Sequence, residues 1–183
     1  MKSKKIKLII FHPYSTIGGA DKSIARLING LNEKKYEITF LTISKPYIKN
    51  YLNKKIKIIK INTTKTIFSI FKIRNILKKF SNNEKIIFFS NQNFANIISF
   101  FILYKFKNIK HVVVERNHID EFNYYKNIFD YIKKKIIIFL MIILYKKADL
   151  VIGNAKKLSH GHKTRREMEV IFGTGKPTLN TAN

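Results

Sequence analysis

The residues best suited to binding chemistry form a glycine turn near the start of the chain. Residues 5–11 are an isoleucine-rich run typical of a buried strand, and Pro13 follows its end. Gly18-Gly19-Ala20-Asp21 then opens a segment whose apolar residues recur at helical spacing. Backbone N–H groups and the positive helix end would converge there on an anion, and glycine would let a phosphate or sugar approach the backbone. The same pattern also fits a tight turn that binds nothing.

A second polar cluster begins where another apolar run ends. Residues 111–117 predict a valine-rich strand, and Glu115, Arg116 and His118 lie at its carboxyl end. Ligands of doubly wound folds bind at the carboxyl ends of the strands, so this loop and the glycine turn should share one edge of the sheet. The alternative is that Glu115 and Arg116 only pair with each other at the strand end.

Two motifs late in the sequence do not support a further site. His160 and His162 could be a metal-binding pair, but no third ligand accompanies them, so we predict no metal site. Residues 173–176, Gly-Thr-Gly-Lys, lack the four-residue gap between glycines and the following helix of a phosphate-binding loop. We predict no cofactor.

Strand and helix patterns alternate along the chain and predict an α/β fold. This is a Rossmann-like parallel sheet with helices on both faces. Apolar runs predict strands at residues 5–11, 36–43, 55–62, 85–90, 111–117 and 150–153, with a seventh at 169–172. Helical spacing begins at Asp21, recurs at 66–80 and 93–106, and continues in a long segment ending near Lys147. The helix at 66–80 should bury a broad face formed by Ile67, Phe68, Phe71, Ile76, Leu77 and Phe80.

Composition limits the class of protein. A chain of 183 residues without cysteine or a signal-peptide pattern at its start is expected to form one cytoplasmic domain. Its net charge of +25 would attract nucleic acid, an acidic membrane leaflet or phosphorylated ligands, although lysines that are merely solvated give the same count. The sequence has no arginine-rich cluster, RNA-binding aromatic signature or recognition helix, so nucleic acid is not favoured.

The long helical segment contains ten consecutive apolar residues, 136–145, bracketed by lysines. Because a membrane-spanning helix needs roughly 20 apolar residues, this run is too short to cross a bilayer. We expect a buried crossover helix. The alternative is a surface segment that dips into a membrane interface, and the helix at 66–80 is a second candidate for that role.

Three stretches together resemble the retaining GT-B glycosyltransferases of family 4. Gly18-Gly19-Ala20-Asp21 is similar to their Gly-Gly-Ala-Glu turn. Val112-Val-Val-Glu-Arg-Asn-His118 is similar to their fifth strand, which often ends in Ser-Glu-Arg-Asn or Ser-Glu-His-Asn. Lys147-Ala-Asp-Leu-Val-Ile152 is similar to their Ala-Asp-x-Val-Val strand, and the three occur in the family's order within residues 1 to about 155.

The resemblance implies that residues 1–172 are the acceptor-binding, N-terminal Rossmann-like domain of a two-domain enzyme. Residues 173–183 would begin the interdomain connector, and the donor-binding C-terminal domain is absent from the sequence. We therefore expect a truncated chain, inactive alone. With a separate C-terminal domain it would move sugar from a nucleotide-sugar to a glycan or lipid-linked acceptor.

The same resemblance implies roles for the glycine turn. Gly18 and Gly19 would approach the donor phosphates and the acceptor across the cleft between the domains. Asp21 would occupy the helix position where the family usually has Glu, and Asn154 the position after the sixth strand where it often has Ser.

The resemblance also implies which residues act on the sugar. Arg116 would stand at the family's commonest histidine position, with His118 two residues later. An arginine would stabilise developing phosphate charge and a neutral histidine would bond a sugar hydroxyl, so either one is a candidate catalytic residue. Family members are thought to need no protein nucleophile, so the absence of a paired carboxylate does not argue against transfer.

Two classes of function therefore stand as hypotheses. The first is a sugar-transfer half-enzyme of the cytoplasm that docks at the inner face of the membrane through its basic surface. The second is a basic binding module without chemistry, whose partner is an anionic membrane or another chain.

Overall fold

A six-stranded, all-parallel sheet forms the centre of the protein. The computed structural model describes residues 5–80, 84–115 and 124–153. The strands are β1 (Ile6–Phe11), β2 (Tyr36–Thr42), β3 (Lys57–Lys60), β4 (Ile86–Asn91), β5 (Ile109–Glu115) and β6 (Leu150–Gly153). Their order across the sheet is β3-β2-β1-β4-β5-β6. The predicted Rossmann-like parallel sheet is confirmed.

Within the described ranges, four α-helices follow strands β1, β3, β4 and β5 in the chain. They are α1 (Gly19–Gly30), α2 (Ser69–Leu77), α3 (Asn93–Leu103) and α4 (Ile128–Tyr145), with short 3₁₀ segments at Tyr47–Tyr51 and Thr66–Phe68. Because helices lie over both faces of the sheet, side chains on both sides of a strand are buried, which explains why the strands are nearly continuous apolar runs rather than alternating ones.

Helices cover both faces of the sheet, as predicted. Side chains of a strand alternate between faces, so Leu8 and Ile10 of β1 pack with α1 while Ile9 and Phe11 face α2 and α3. The α1 side contributes Ile24 to its core. On the other side, a second core contains Ile73, Leu77, Ile98 and Ile102 from α2 and α3.

The expectation that residues 136–145 form a buried helix is wrong. In α4, all of which is described, Met141 is the one buried residue, whereas Phe129 is 80% and Phe139 61% exposed. The packed part of α4 lies near its carboxyl end, where Tyr145 stacks on Phe100 of α3. Because α3 covers one side of a helix that is apolar almost all round, the opposite side stays in solvent. No helix in the described part of the chain combines the length and apolarity needed to cross a bilayer.

The expected apolar face of the helix at 66–80 is also partly wrong. Ile67, Phe68 and Phe71 are exposed, whereas Ile73 and Leu77 are buried. The cause is that residues 66–68 form a 3₁₀ turn and the α-helix begins only at Ser69. Because a 3₁₀ turn has three residues per turn, it rotates Ile67 and Phe68 away from the face that α2 buries, whereas Phe71 lies within α2 on the side away from the buried Ile73.

Several element boundaries also differ, and other predictions lie outside the described residues. β3 is shorter than residues 55–62, and α3 ends at Leu103 rather than at Phe106. The seventh strand at 169–172, the pair His160 and His162, and the connector at 173–183 all fall outside the described ranges.

Candidate functional site

The candidate site lies at the carboxyl edge of the sheet, beside β1 and β4. β1 leads into α1 on one face, and β4 leads into α3 on the other. The loops that leave these two neighbouring strands therefore run to opposite faces of the sheet. In open α/β sheets, such a divergence creates a crevice outside the carboxyl ends of the strands.

The glycine turn opens α1 at this crevice. Gly18 precedes the helix with φ −98° and ψ 178°, an extended backbone that other residues also adopt. A Cβ at Gly18 would lie 3.1 Å from Thr16 Oγ1, whereas a Cβ at Gly19 would meet nothing within 4 Å. The cap residue, Gly18, has no side chain that could accept a hydrogen bond from the amides of the first turn of α1. The space over Gly19 is therefore open, and the helix end beneath it favours negative charge.

Asp21 lies beneath this turn and holds it in place. It is fully buried, and its carboxylate accepts from Ser15 Oγ at 2.5 Å and from the Thr16 amide at 2.7 Å. Burial by itself would raise the pKa of the Asp21 carboxyl, but the interactions with His12, Ser15 and Thr16 outweigh it and lower the pKa. Because both oxygens face inward, the structure gives Asp21 a positioning role in place of direct substrate contact.

His12 links the two strands beside the crevice, and sequence reasoning missed it. Its Nδ1 lies 2.9 Å from Asn91 Nδ2 at the end of β4. An amide nitrogen can only donate, so Nδ1 accepts and the proton of a neutral ring lies on Nε2. That atom has no hydrogen-bond partner among the described residues and lies 3.7 Å from Asp21 Oδ1. The only sequence signal was a histidine directly after an apolar strand.

Ser15 and Ser44 extend this network toward β2. Ser15 Oγ accepts from the Ile48 amide at 3.1 Å, and Ser44 Oγ accepts from the Ser15 amide at 2.8 Å. Thr42 at the end of β2 donates to the Pro13 carbonyl at 3.1 Å. The loop between β1 and α1 is thereby tied to its neighbours on both sides, which fixes the amide groups of the turn in advance of any ligand.

The end of β5 lies at the same edge. Register pairs Phe11 with Ser90 and Asn91 with Val114, so the carboxyl ends of β1, β4 and β5 are side by side. Two strand spacings correspond to about 10 Å between β1 and β5. Arg116 and His118, which follow β5 in the sequence, lie outside the described residues, as does Asn154.

Glu115 ends β5 inside a buried polar cluster. Tyr145 of α4 donates to Glu115 Oε2 at 2.7 Å, and Asn96 Nδ2 donates to the Tyr145 oxygen at 3.1 Å. Asn96 also donates to the Val114 carbonyl at 2.9 Å. Burial and the nearby Glu115 charge raise the pKa of Tyr145, so its hydroxyl stays protonated and keeps donating. The cluster fixes the point at which the chain leaves β5.

Two further polar groups have structural roles away from the crevice. Asp149 accepts from the His111 amide at 2.8 Å and from Lys110 at 2.7 Å, and so joins the starts of β5 and β6. His111 is buried next to Ser90, with 3.0 Å between Nε2 and Oγ. Burial lowers the pKa of His111 to about 4, so the ring is neutral at pH 7. The described ranges contain no group of three histidine or acidic side chains that could hold a metal ion.

No family model matches the sequence, and no curated protein matches it either. What the structure defines is therefore a class: a Rossmann-like α/β protein in which an uncapped helix end and the exit of a buried strand share one edge of the sheet.

Proposed function

We propose that this chain is the acceptor-binding, N-terminal half of a retaining GT-B glycosyltransferase of family 4. Together with a separate donor-binding domain, it would transfer sugar from a nucleotide-sugar to a glycan or lipid-linked acceptor. The proposal places the protein in the cytoplasm, at the inner face of the membrane.

One observation carries the proposal. The glycine turn and the carboxyl end of β5 lie at one edge of the sheet, with the end of β4 between them. Two of the three family-like stretches of the sequence occur at these two places. Had they been at opposite edges, no single substrate could reach both.

The turn supplies what an anionic substrate requires. Backbone N–H groups of the first turn of α1 have no side-chain cap, the space over Gly19 beside them is open, and the buried Asp21 network keeps the preceding loop in place. A diphosphate would be held by these groups without reorganising them, which favours stabilisation of developing charge on a leaving group. Arg116, His118 and Asn154 stay predicted contacts of the sugar and its acceptor.

The binding half of the proposal can be tested on the chain alone. The probe is a short-chain prenyl diphosphate carrying one sugar, titrated into ¹⁵N-labelled protein. We expect the amide signals of Gly18, Gly19 and Ala20 to shift first. In the Gly19→Val variant the side chain occupies the open space, so the affinity for the probe should fall at least tenfold.

Gly30 provides a matched control for that variant. It lies at the other end of α1, and a Cβ there also meets nothing within 4 Å. Gly30→Val should bind the probe within about twofold of wild type. Equal losses in both variants, or probe shifts that avoid the first turn of α1, would contradict the proposed site.

The transfer step needs the donor-binding domain supplied in trans. Mixed with a C-terminal half of this family, the chain should transfer radiolabelled sugar to the prenyl diphosphate acceptor, and neither half should do so alone. Arg116→Ala or His118→Ala should reduce the rate of transfer at least tenfold while the probe still binds. Transfer unaffected by both substitutions would exclude them as catalytic residues.

The second candidate is a binding module without chemistry for an anionic membrane or a partner chain. The observation that favours it is the exposed apolar side of α4, which the glycosyltransferase proposal does not require. Binding at the glycine turn without transfer in any mixture would favour this alternative.

A further inference from the structure

An apolar surface lies on the side of α4 opposite Met141. We call it the α4 stripe; its exposed residues are Ile128, Phe129, Ile132, Ile136, Phe139, Ile142 and Ile143. Most of them recur three or four residues apart, so they share one side of the helix along its whole length. This continuous row of large aliphatic and aromatic side chains exceeds what scattered surface apolar residues explain.

Lysines border the stripe on both sides and at both ends. Lys133 and Lys135 are exposed on its two flanks, Lys126 lies before the helix and Lys146 and Lys147 follow it. Residues 124–147 contain six lysines and one acid, Asp130, which gives this segment a net charge of +5. The Asp130 carboxylate lies 3.3 Å from Lys134 Nζ, and this ion pair is neutral as a whole. The other lysines therefore make the electrostatic potential at the stripe positive.

We infer that the α4 stripe docks the protein on an anionic lipid leaflet, with α4 lying in the plane of the interface. An apolar side bordered by lysines matches the acyl region and the phosphate layer of such a leaflet at the same time. The long lysine side chains can keep their ammonium groups at the phosphates while the apolar side chains enter the membrane. A nucleic-acid partner would match only the charged component, and a second copy of this basic chain, with its net charge of +25, would match only the apolar one.

This surface is distinct from the proposed sugar-transfer site and does not depend on it. The experiment therefore uses vesicles without acceptor lipid. The full chain is sedimented with vesicles of phosphatidylglycerol and phosphatidylcholine at about 3:7, and with pure phosphatidylcholine vesicles. We expect binding to the anionic vesicles that weakens at least tenfold between about 0.1 and 1 M salt, because the Debye length shortens.

The charged component is tested with Lys133→Glu combined with Lys135→Glu. Lys57→Glu combined with Lys60→Glu is the matched control, since it makes the same charge change on β3, at the other edge of the sheet. We expect at least a tenfold loss of vesicle affinity for the first variant and less than a threefold change for the control. Equal losses would show attraction by total charge alone and would overturn the assignment to α4.

The apolar component is tested with Ile136→Ser combined with Phe139→Ser, at two exposed positions. The control, Ile17→Ser combined with Tyr14→Ser, also removes one exposed isoleucine and one exposed aromatic ring. The stripe variant should lose at least fivefold in vesicle affinity and the control less than twofold. Circular dichroism checks that each variant is folded.

Two results would overturn the inference directly. If wild type does not sediment with anionic vesicles at low salt, the stripe does not bind lipid. If wild type is a dimer by sedimentation velocity, and Ile136→Ser with Phe139→Ser makes it monomeric without changing vesicle binding, a second copy of the chain covers the stripe.

Discussion

The first turns of α1 and α4 have an aspartate at the same helical position but use it differently. Asp21 is the third residue of α1 and is fully buried, while Asp130 is the third residue of α4 and is partly exposed. The Asp21 carboxylate organises the loop between β1 and α1. The Asp130 carboxylate accepts from the Lys126 amide, and Asn127 caps the helix by accepting from the Asp130 amide at 2.9 Å.

This difference shows where each helix obtains its stability. α1 is held by buried contacts with the sheet, so its polar groups can be specialised to shape the turn above them. α4 has local caps and little tertiary cover on its outer side, which leaves its apolar residues available to a partner. The proposed binding turn requires fixed amide groups, whereas the proposed interfacial helix requires an accessible row of apolar side chains.

The largest loss of stability is expected when Asp21, the buried member of this pair of aspartates, is replaced. Asp21→Ala leaves the buried Ser15 hydroxyl and Thr16 amide without their charged acceptor, so the free energy of unfolding should fall by about 3–5 kcal/mol. Urea denaturation followed by circular dichroism measures this change. A loss no larger than that of Asp130→Ala would refute the positioning role of Asp21.

The pH dependence of stability distinguishes the contribution of His111 from that of Asp21. The folded pKa of His111, about 4, is below its unfolded value near 6.5, so the unfolded state binds more protons between these pH values. The His111 contribution to the free energy of unfolding should be constant above about pH 7 and fall by about 3 kcal/mol toward pH 4. The lowered pKa of Asp21 adds a further loss only below about pH 4.

His111→Gln is the matched variant for that titration. It removes the titrating ring while an amide can still bond Ser90. The decline between pH 6.5 and 4 should then largely vanish, and the decline below pH 4 should stay. An unchanged profile in this variant would assign the acid sensitivity to other groups.

A smaller effect is expected where α4 does contact the core. Tyr145→Phe removes the donor to the buried Glu115 oxygen while keeping the ring stacked on Phe100, so stability should fall by about 2 kcal/mol. Thermal unfolding monitors this loss. Tyr131→Phe, elsewhere on α4, serves as the control and should leave the melting temperature nearly unchanged.

The smallest effect is expected at Asp130. Its contacts with the Lys126 amide and Lys134 are exposed to solvent and screened by salt, so Asp130→Asn should be the mildest of the four changes. Urea denaturation at low and high salt measures it. A destabilisation similar to that of Asp21→Ala would contradict the difference drawn between the two aspartates.

The strand pattern was predictable because burial on both faces selects long apolar runs such as those of β1 and β4. The carboxyl-edge position of the glycine turn and of the end of β5 followed from the same parallel sheet. The inward direction of Asp21 and the link between His12 and Asn91 were not predictable. They depend on which strands become neighbours, and residues 12 and 91 are far apart in the sequence.

By itself, therefore, the sequence determined the alternation of strands and helices, the parallel sheet and the place of the glycine turn, because these follow from local periodicity and from parallel-sheet geometry. Only the tertiary structure decided which polar groups are buried and which side of α4 is left uncovered. A run of ten apolar residues specifies a helix that can be buried, but the extent of α3 beside it sets how much is actually covered.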